Sequence, residues 1–306
     1  MITGAPDRQS AALLLETDGL DDYRLVDSGH GRKLERFGTR TLIRPEEQAI
    51  WAPRLPETVW EKADASFTGD TDEEGAGRWK RRGGLDEEWT CRHGAVTFAC
   101  RLTSFRHVGA FPEQEAHWRV MEENLSALAN AGGDKPQVLN LFGYTGLASL
   151  IAAAAGAEVT HVDASKKAIA WARENQALSG MENLPVRWIC EDAMKFAARE
   201  VRRGRRYQCI LLDPPKFGRG PKNEVWRVFD DLPEMIDLCR QMIDPERGLL
   251  LLTSYAIRSS FLMLEELCLD GLVKPLGGAL DSGELVLRGE DGRRLSTSLF
   301  SRWSAA

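Results

Sequence analysis

From residue 113 onward, short apolar runs alternate with longer amphipathic stretches, and this alternation leaves the chain few architectures to choose from. Helical spacing runs over 114–130 through Trp118, Met121, Leu125 and Leu128, and stops at Gly132-Gly133. Strand signals follow at 138–141, 159–162, 186–190, 207–212 and 249–252. The intervening stretches 147–155, 166–178, 193–203, 225–243 and 259–269 read as helices, with Ser165 as a cap and a disturbance at Pro233. The final part, 271–303, reads as strands and a hairpin. Strands that alternate with helices predict an α/β fold with a mostly parallel sheet covered on both faces. Right-handed crossovers then gather the strand ends on one edge, where ligands bind.

Ahead of residue 113 the texture differs. The chain there is rich in Gly, Trp and charge, with short alternating stretches at 40–43, 89–91 and 95–102 and a turn at Arg92-His93-Gly94. This predicts a small β-rich domain over 21–112, behind a tail at 1–20 and ahead of a larger domain over 113–306. A length of 306 residues suits two such units. The segment 68–84 is acidic, then glycine-rich, then basic, and is expected to be a mobile loop between strands. A net charge of −6 excludes a strongly basic nucleic-acid binder but leaves room for local patches. The six cysteines show neither C-x-x-C nor zinc spacing, so no metal site is expected and reduced thiols fit the cytoplasm. The longest apolar region, 147–159, is interrupted by Ser149 and Glu158 and is too short to cross a bilayer, so no membrane association is expected.

Four strand exits carry the chemistry. The first runs Leu139-Asn140-Leu141-Phe142-Gly143-Tyr144-Thr145-Gly146, a strand entering a glycine turn and then a helix whose N-terminus offers free N–H groups. It lacks the G-x-G-x-x-G of dinucleotide enzymes, which speaks against a nicotinamide oxidoreductase. The second ends on Asp163, a carboxylate placed to accept both hydroxyls of a ribose. The third ends on Glu191-Asp192, which can accept from an adenine amine or simply cap the next helix. The fourth ends on Asp213-Pro214-Pro215-Lys216-Phe217. Two prolines fix φ and remove two donors, so the exit presents carbonyls beside one carboxylate, suited to the N–H groups of a planar substrate on which Phe217 can stack.

In this order, the motifs resemble the class I S-adenosylmethionine-dependent methyltransferases, with their Rossmann-like seven-stranded sheet. Residues 140–146, 161–166 and 212–217 are similar to the bacterial methyltransferases of large-subunit ribosomal RNA that form 5-methylcytosine or 7-methylguanosine. Residues 34–45 and 109–114 resemble a less characterised branch of that group. The resemblance implies S-adenosylmethionine as cofactor and RNA as partner. It implies that Asn140 and the backbone of Phe142, Gly143, Tyr144, Thr145 and Gly146 face the methionine part. Asp163 with Ala164 would hold the ribose, and Asp192 with Ala193 the adenine. Phe111 and Gln114 would close over the cofactor, while Asp213 and Pro214 border the methyl group. Cytosine-5 members place a nucleophilic cysteine at the tip of the fifth strand. Tyr255 stands there instead, which favours methylation of a nitrogen.

Basic residues offer further candidates. Lys195, Arg199, Arg202, Arg203 and Arg206 recur at helical spacing, either as a phosphate-facing stripe or as a solvated face. Arg78-Trp79-Lys80-Arg81-Arg82 mixes cations with an aromatic that can stack on a base. The stretch after the proline pair, with Lys216, Arg219, Lys222 and Trp226, adjoins the acceptor side and is expected to grip substrate. The expected activity is methyl transfer to an RNA nucleobase. The competing readings are a protein or small-molecule acceptor, and an RNA-binding factor without turnover.

Overall fold

The computed structural model describes residues 12–69, 77–84, 86–255 and 259–305. In chain order the first elements are β1 (Leu13–Thr17), β2 (Tyr23–Gly29), β3 (Arg32–Phe37), β4 (Arg40–Pro45), the short helix α1 (Glu57–Trp60), β5 (Ala65–Gly69), β6 (Gly77–Arg81), β7 (Glu88–His93) and β8 (Val96–Arg101). Then follow α2 (Glu115–Asn130), β9 (Gln137–Leu141), α3 (Leu147–Ala154), β10 (Glu158–Asp163), α4 (Lys166–Leu178), β11 (Val186–Cys190), α5 (Ala193–Arg202) and β12 (Cys209–Leu212). The chain closes with β13 (Phe217–Arg219), β14 (Val225–Arg227), α6 (Val228–Met242), β15 (Leu249–Tyr255), α7 (Phe261–Cys268), β16 (Ala279–Arg288) and β17 (Arg294–Ser304).

Eight strands form the main sheet, in the order β1-β16-β17-β15-β12-β9-β10-β11. β9 pairs in parallel with β10 on one side and β12 on the other. The chain therefore reverses its direction of travel across the sheet beside β9, and the crevice opened there lies above the ends of β9, β10 and β12. The central strands are buried on both faces, which is why they read as apolar runs rather than alternations. Among the described residues no helix is long and apolar enough to cross a membrane.

Three expectations change. The supposed tail contains β1, which pairs in parallel with β16 and adds an eighth strand to the expected seven. It is held because Leu15 packs against Ala116, Leu285 and Phe300. The helix expected from residue 225 starts at Val228, because Val225–Arg227 is drawn into an antiparallel pair with Phe217–Arg219. The basic half of the expected loop 68–84 is strand β6, paired with β5, while residues 70–76 lie outside the described residues.

The first region supplies a five-stranded sheet, β2-β3-β4-β5-β6, and the hairpin β7-β8. A buried ionic cluster lies in it. Glu35 accepts from Arg44 Nε at 2.6 Å and Nη2 at 2.7 Å and from the Tyr23 hydroxyl at 2.7 Å. Burial raises its pKa, but Arg44 and Lys33 more than offset this and hold it below the usual carboxylate range. Arg44 Nη1 also donates to the Arg106 carbonyl at 3.3 Å, fastening the segment that leads into α2.

The β7-β8 hairpin packs against α4, and one apolar cluster runs from Phe98 and Cys100 to Leu150 and Ile151. Asn175 on α4 is fully buried at this seam. Its Oδ1 accepts from Ala99 N and its Nδ2 donates to the Thr145 carbonyl, both at 2.9 Å. Replacing it with Ala leaves a buried donor and a buried acceptor without partners. Asn175→Ala is expected to lower stability by about 2–4 kcal/mol in urea unfolding. A loss below about 0.5 kcal/mol, the range of ordinary surface changes, would show that the seam does not depend on it.

Candidate active site

The loop from Phe142 to Gly146 leaves β9 through left-handed backbone: φ is 59° at Phe142, 50° at Tyr144 and 81° at Gly146. Phe142 and Tyr144 carry side chains, so each left-handed residue costs about 1 kcal/mol or more. Surrounding groups hold the bend. Tyr144 N donates to Asp163 Oδ2 at 2.9 Å, and Gly143 N to the Val162 carbonyl at 3.1 Å. Thr145 Oγ1 donates to the Gly109 carbonyl at 2.6 Å. Beneath the loop, Asn140 Nδ2 donates to Ser149 Oγ at 2.9 Å, and Ser149 Oγ lies 3.0 Å from His161 Nδ1. His161 packs edge-on to Trp188, and burial pushes its pKa down to about 3, so it is a neutral support. A Cβ at Gly143 would lie 2.4 Å from His161 Cε1 and 3.0 Å from Asn140 Nδ2, which explains the glycine there.

Asp163 ends β10 at the wall of a cavity of about 380 Å³. Its Oδ1 accepts from Ser165 N at 2.8 Å while Oδ2 holds Tyr144 N. Burial nevertheless raises its pKa to about 6, against the two backbone bonds. A carboxylate offers about four acceptor sites, so capacity remains for a ligand. Asp192 has a structural role and a place at the cavity. It caps α5, its Oδ1 accepting from Lys195 N at 2.9 Å, and it lines the same cavity beside Ala193.

Asp213 follows the last rung of β12 and faces Gln114, whose Nε2 donates to Asp213 Oδ2 at 2.9 Å. Pro214 and Pro215 line the cavity with Lys216 and Arg219. Two carbonyls of this exit are already taken. Pro215 O accepts from the Trp226 indole at 2.8 Å, and Lys216 O from Val228 N at 3.0 Å. Trp226 lines the cavity too, with its indole N–H spent on Pro215 O, its side chain largely buried and its ring 4.9 Å from that of Phe142. Phe217 is half-buried and lies outside the cavity wall, while Lys216, Gly218 and Arg219 on either side of it belong to the wall. Lys222 also lies outside the wall, its backbone N–H bonded to Glu224.

Phe111, Gln114, Phe142, Tyr144 and Ala164 complete the expected residues at this cavity. Asn140, Gly143 and Thr145 line a smaller recess of about 50 Å³ that shares Phe111, Gln114 and Asp213 with it. Gly146 lines neither and serves as the helix turn. The wall also holds residues without an expected role, among them Tyr255 at the tip of β15, His107 and Glu113. Tyr255 is signalled by its place at a strand tip. The other two come from the junction between regions, where sequence spacing carries no signal. Burial lowers the His107 pKa and raises that of Glu113.

The basic candidates are largely accounted for. Lys195 pairs with Glu224 at 2.6 Å, Arg199 with Glu191 at 2.5 Å and Arg203 with Glu200 at 2.9 Å. The stripe on α5 is thus mostly neutralised by acids, two of them from outside the helix. Trp79 turns inward, edge-on to Phe67, and its indole donates to the Phe105 carbonyl at 3.2 Å. Arg78 and Lys80 stay exposed beside it.

A glycine turn, three strand-end carboxylates and a proline pair thus converge on one cavity. Residues 73–267 match the family of S-adenosylmethionine-dependent methyltransferases. The chain belongs to that family. This methyltransferase superposes with a TM-score of 0.90 on the SAM-dependent methyltransferase from Agrobacterium tumefaciens, at 53% identity over 96% of this chain and 94% of that one. It is 26% identical over 216 residues to ribosomal RNA large subunit methyltransferase K of Neisseria meningitidis serogroup B, covering 67% of this chain and 57% of that protein. It is 32% identical over 158 residues to ribosomal RNA large subunit methyltransferase K/L of Shewanella frigidimarina, covering 50% of this chain and 20% of that protein. The chain therefore spans between about a fifth and just over half the length of these curated relatives.

The cofactor of the family fits the residues present. The cavity volume lies within the usual range for a ligand of this size. Its buried carboxylate at Asp163 calls for donors such as hydroxyls, and apolar and aromatic walls suit a nucleoside. The methyltransferase should tolerate no side chain at residue 143. Gly143→Ala is expected to lower affinity for S-adenosylmethionine by about tenfold or more in calorimetry, since its Cβ meets ring and amide atoms rather than open space. Unchanged affinity would show that the loop shape is not what binds.

Proposed function

We propose that this methyltransferase modifies a nitrogen of an RNA nucleobase, with ribosomal RNA as substrate. The observation that supports this reading best is the pairing, across one cavity, of the Asp213-Pro214-Pro215 exit with Tyr255 in place of a nucleophilic thiol. Among the described residues no cysteine lines the cavity, and burial pushes the thiols of Cys209 and Cys268 up to about 12. A covalent attack on a pyrimidine ring therefore has no thiolate to start it. The curated relatives, named as methyltransferases of large-subunit ribosomal RNA, supply the substrate class.

S-adenosylmethionine, when bound, supplies an electrophilic methyl group on a sulfonium sulfur. Asp163 accepts the ribose hydroxyls and Asp192 the adenine amine, while the amides around Gly143 face the methionine part. Asp213 accepts an N–H of the acceptor base and so turns the neighbouring nitrogen lone pair toward the methyl group. The ring of Tyr255 borders the base, and Lys216 and Arg219 meet its phosphates. The protein's contribution is alignment and a field prepared for charge moving off the sulfonium.

Purified protein, labelled S-adenosylmethionine and RNA from cells lacking this protein should yield a nucleoside methylated on nitrogen, resolved by mass spectrometry. Label on a pyrimidine carbon, or only in protein, would overturn the reading. Asp213→Ala should lower kcat by about a hundredfold while cofactor affinity stays within a few-fold. Equal loss of both would remove Asp213 from the acceptor side.

Asp163 adds a pH dependence. Its ionised form accepts hydroxyl donors and its protonated form does not, so cofactor affinity should fall as pH drops through about 6, by up to about tenfold per unit. Asp163→Asn should bind more weakly at pH 8 and lose that slope, measured by calorimetry between pH 5 and 8. A variant that keeps the slope would assign it to another group.

A further inference from the structure

Beside Asp213 lies a chain of polar groups, Gln114, Thr253 and His117, at the wall of the smaller recess. Leu212 is the rung partner of Leu252, so Asp213 leaves β12 beside Thr253, which is still paired within β15. Gln114 bridges them, its Nε2 donating to Asp213 Oδ2 at 2.9 Å and its Oε1 lying 3.3 Å from Thr253 Oγ1. Thr253 Oγ1 in turn lies 3.2 Å from His117 Nδ1. Thr253 and His117 are 2% and 1% exposed. His117 sits edge-on to Phe300, and its Nε2 has no partner.

The proton positions follow by elimination. An ionised carboxylate only accepts, so the Gln114 amide must present its NH₂ to Asp213 and its oxygen to Thr253. The Thr253 hydroxyl has one proton and must give it to that oxygen. The remaining contact of Thr253 is then an acceptor, and His117 must carry its proton on Nδ1. Reversing any link sets two lone pairs, or two protons, against each other in a dry interior.

We propose that His117 and Thr253 are positioning residues that lock the Gln114 amide as a donor to Asp213, so that Asp213 meets the acceptor as an oriented carboxylate. The inference rests on the acceptor role given to Asp213 above. It makes the site selective for acceptors that present an N–H to Asp213, because a base edge offering only lone pairs would face a carboxylate that cannot rotate away without breaking the chain.

The test combines long-range ¹⁵N–¹H correlation spectra of the imidazoles with kinetics of Thr253→Val, Thr253→Ser and His117→Asn. The spectrum should show His117 protonated on Nδ1, and His117→Asn assigns that pattern. Thr253→Val should lower kcat on the order of tenfold, with KM for RNA and affinity for S-adenosylmethionine within about twofold. Thr253→Ser, which restores the hydroxyl, and His117→Asn, which restores a donor at the place of Nδ1, should recover most of kcat. An Nε2–H tautomer at His117, or a Thr253→Val enzyme with normal kcat, would overturn the proposal. So would failure of both conservative variants to rescue. If the wild-type protein transfers no methyl group to RNA, the RNA reading fails separately, and the tautomer pattern still decides whether the chain has this polarity.

Discussion

The bend at Phe142–Gly146 is a backbone shape that the chain would not keep by itself, since it places two residues with side chains in left-handed conformation. Its anchors come from four places: Asp163 on β10, Asn175 on α4, the Gly109 carbonyl from the junction, and the His161–Ser149–Asn140 set beneath. Two of these reach across to the first region, because Asn175 also holds Ala99 of β8 and Gly109 follows that strand. The cofactor loop and the seam between regions are therefore one construction. The small β-rich region acts as part of the wall that gives the loop its shape, and separating it from the larger sheet would expose the core that runs from Phe98 to Ile151.

Asp163 shows how such a site is made ready at the expense of stability. Its carboxylate is buried enough for its pKa to rise to about 6, although it already receives two backbone N–H groups. A group in that state is poorly solvated, and a ligand bringing hydroxyl donors improves its position. Asp192 stands in a different balance, capping α5 in the ordinary way and facing the cavity with what acceptor capacity remains.

Much of the larger region was legible because its signals are local. Gly132-Gly133 after α2, Ser165 before α4 and Gly204 after α5 punctuate the helices, and the apolar runs of β9 to β12 are those of strands buried on both faces. What escaped was decided at a distance. β1 is a short apolar run whose partner, β16, is over 250 residues away. Val225–Arg227 has helical neighbours but is captured by β13. The basic stripe of α5 looked unpartnered because Glu191 and Glu224 lie outside the helix that carries it. Trp79 looked like a platform for a base and Trp226 like part of a substrate grip, and each indole N–H is spent on a carbonyl, at Phe105 and at Pro215. An aromatic in a basic or catalytic run says nothing about which way it faces. The strand-end carboxylates were readable because an alternating α/β chain fixes where strand ends go, whereas Glu113 and His107 reach the cavity only through the packing of the junction.

Two buried histidines stand under the two halves of the cleft, His161 below the cofactor loop and His117 behind the acceptor motif. Burial pushes both pKa values down to about 3, so neither changes charge near neutral pH. That removes the role most often given to histidine, proton exchange with substrate. What remains is a rigid ring with one donor and one acceptor whose placement the neighbours decide. A Ser or Thr hydroxyl can rotate and serve either sense, and an amide can flip, so a network of those groups alone would hold several arrangements of similar energy. A neutral imidazole admits two tautomers that differ in which neighbour they satisfy, and behind Asp213 a Thr253 hydroxyl committed to Gln114 leaves only the one that donates from Nδ1. Charge at the cleft is left to the carboxylates, and orientation to the neutral groups behind them.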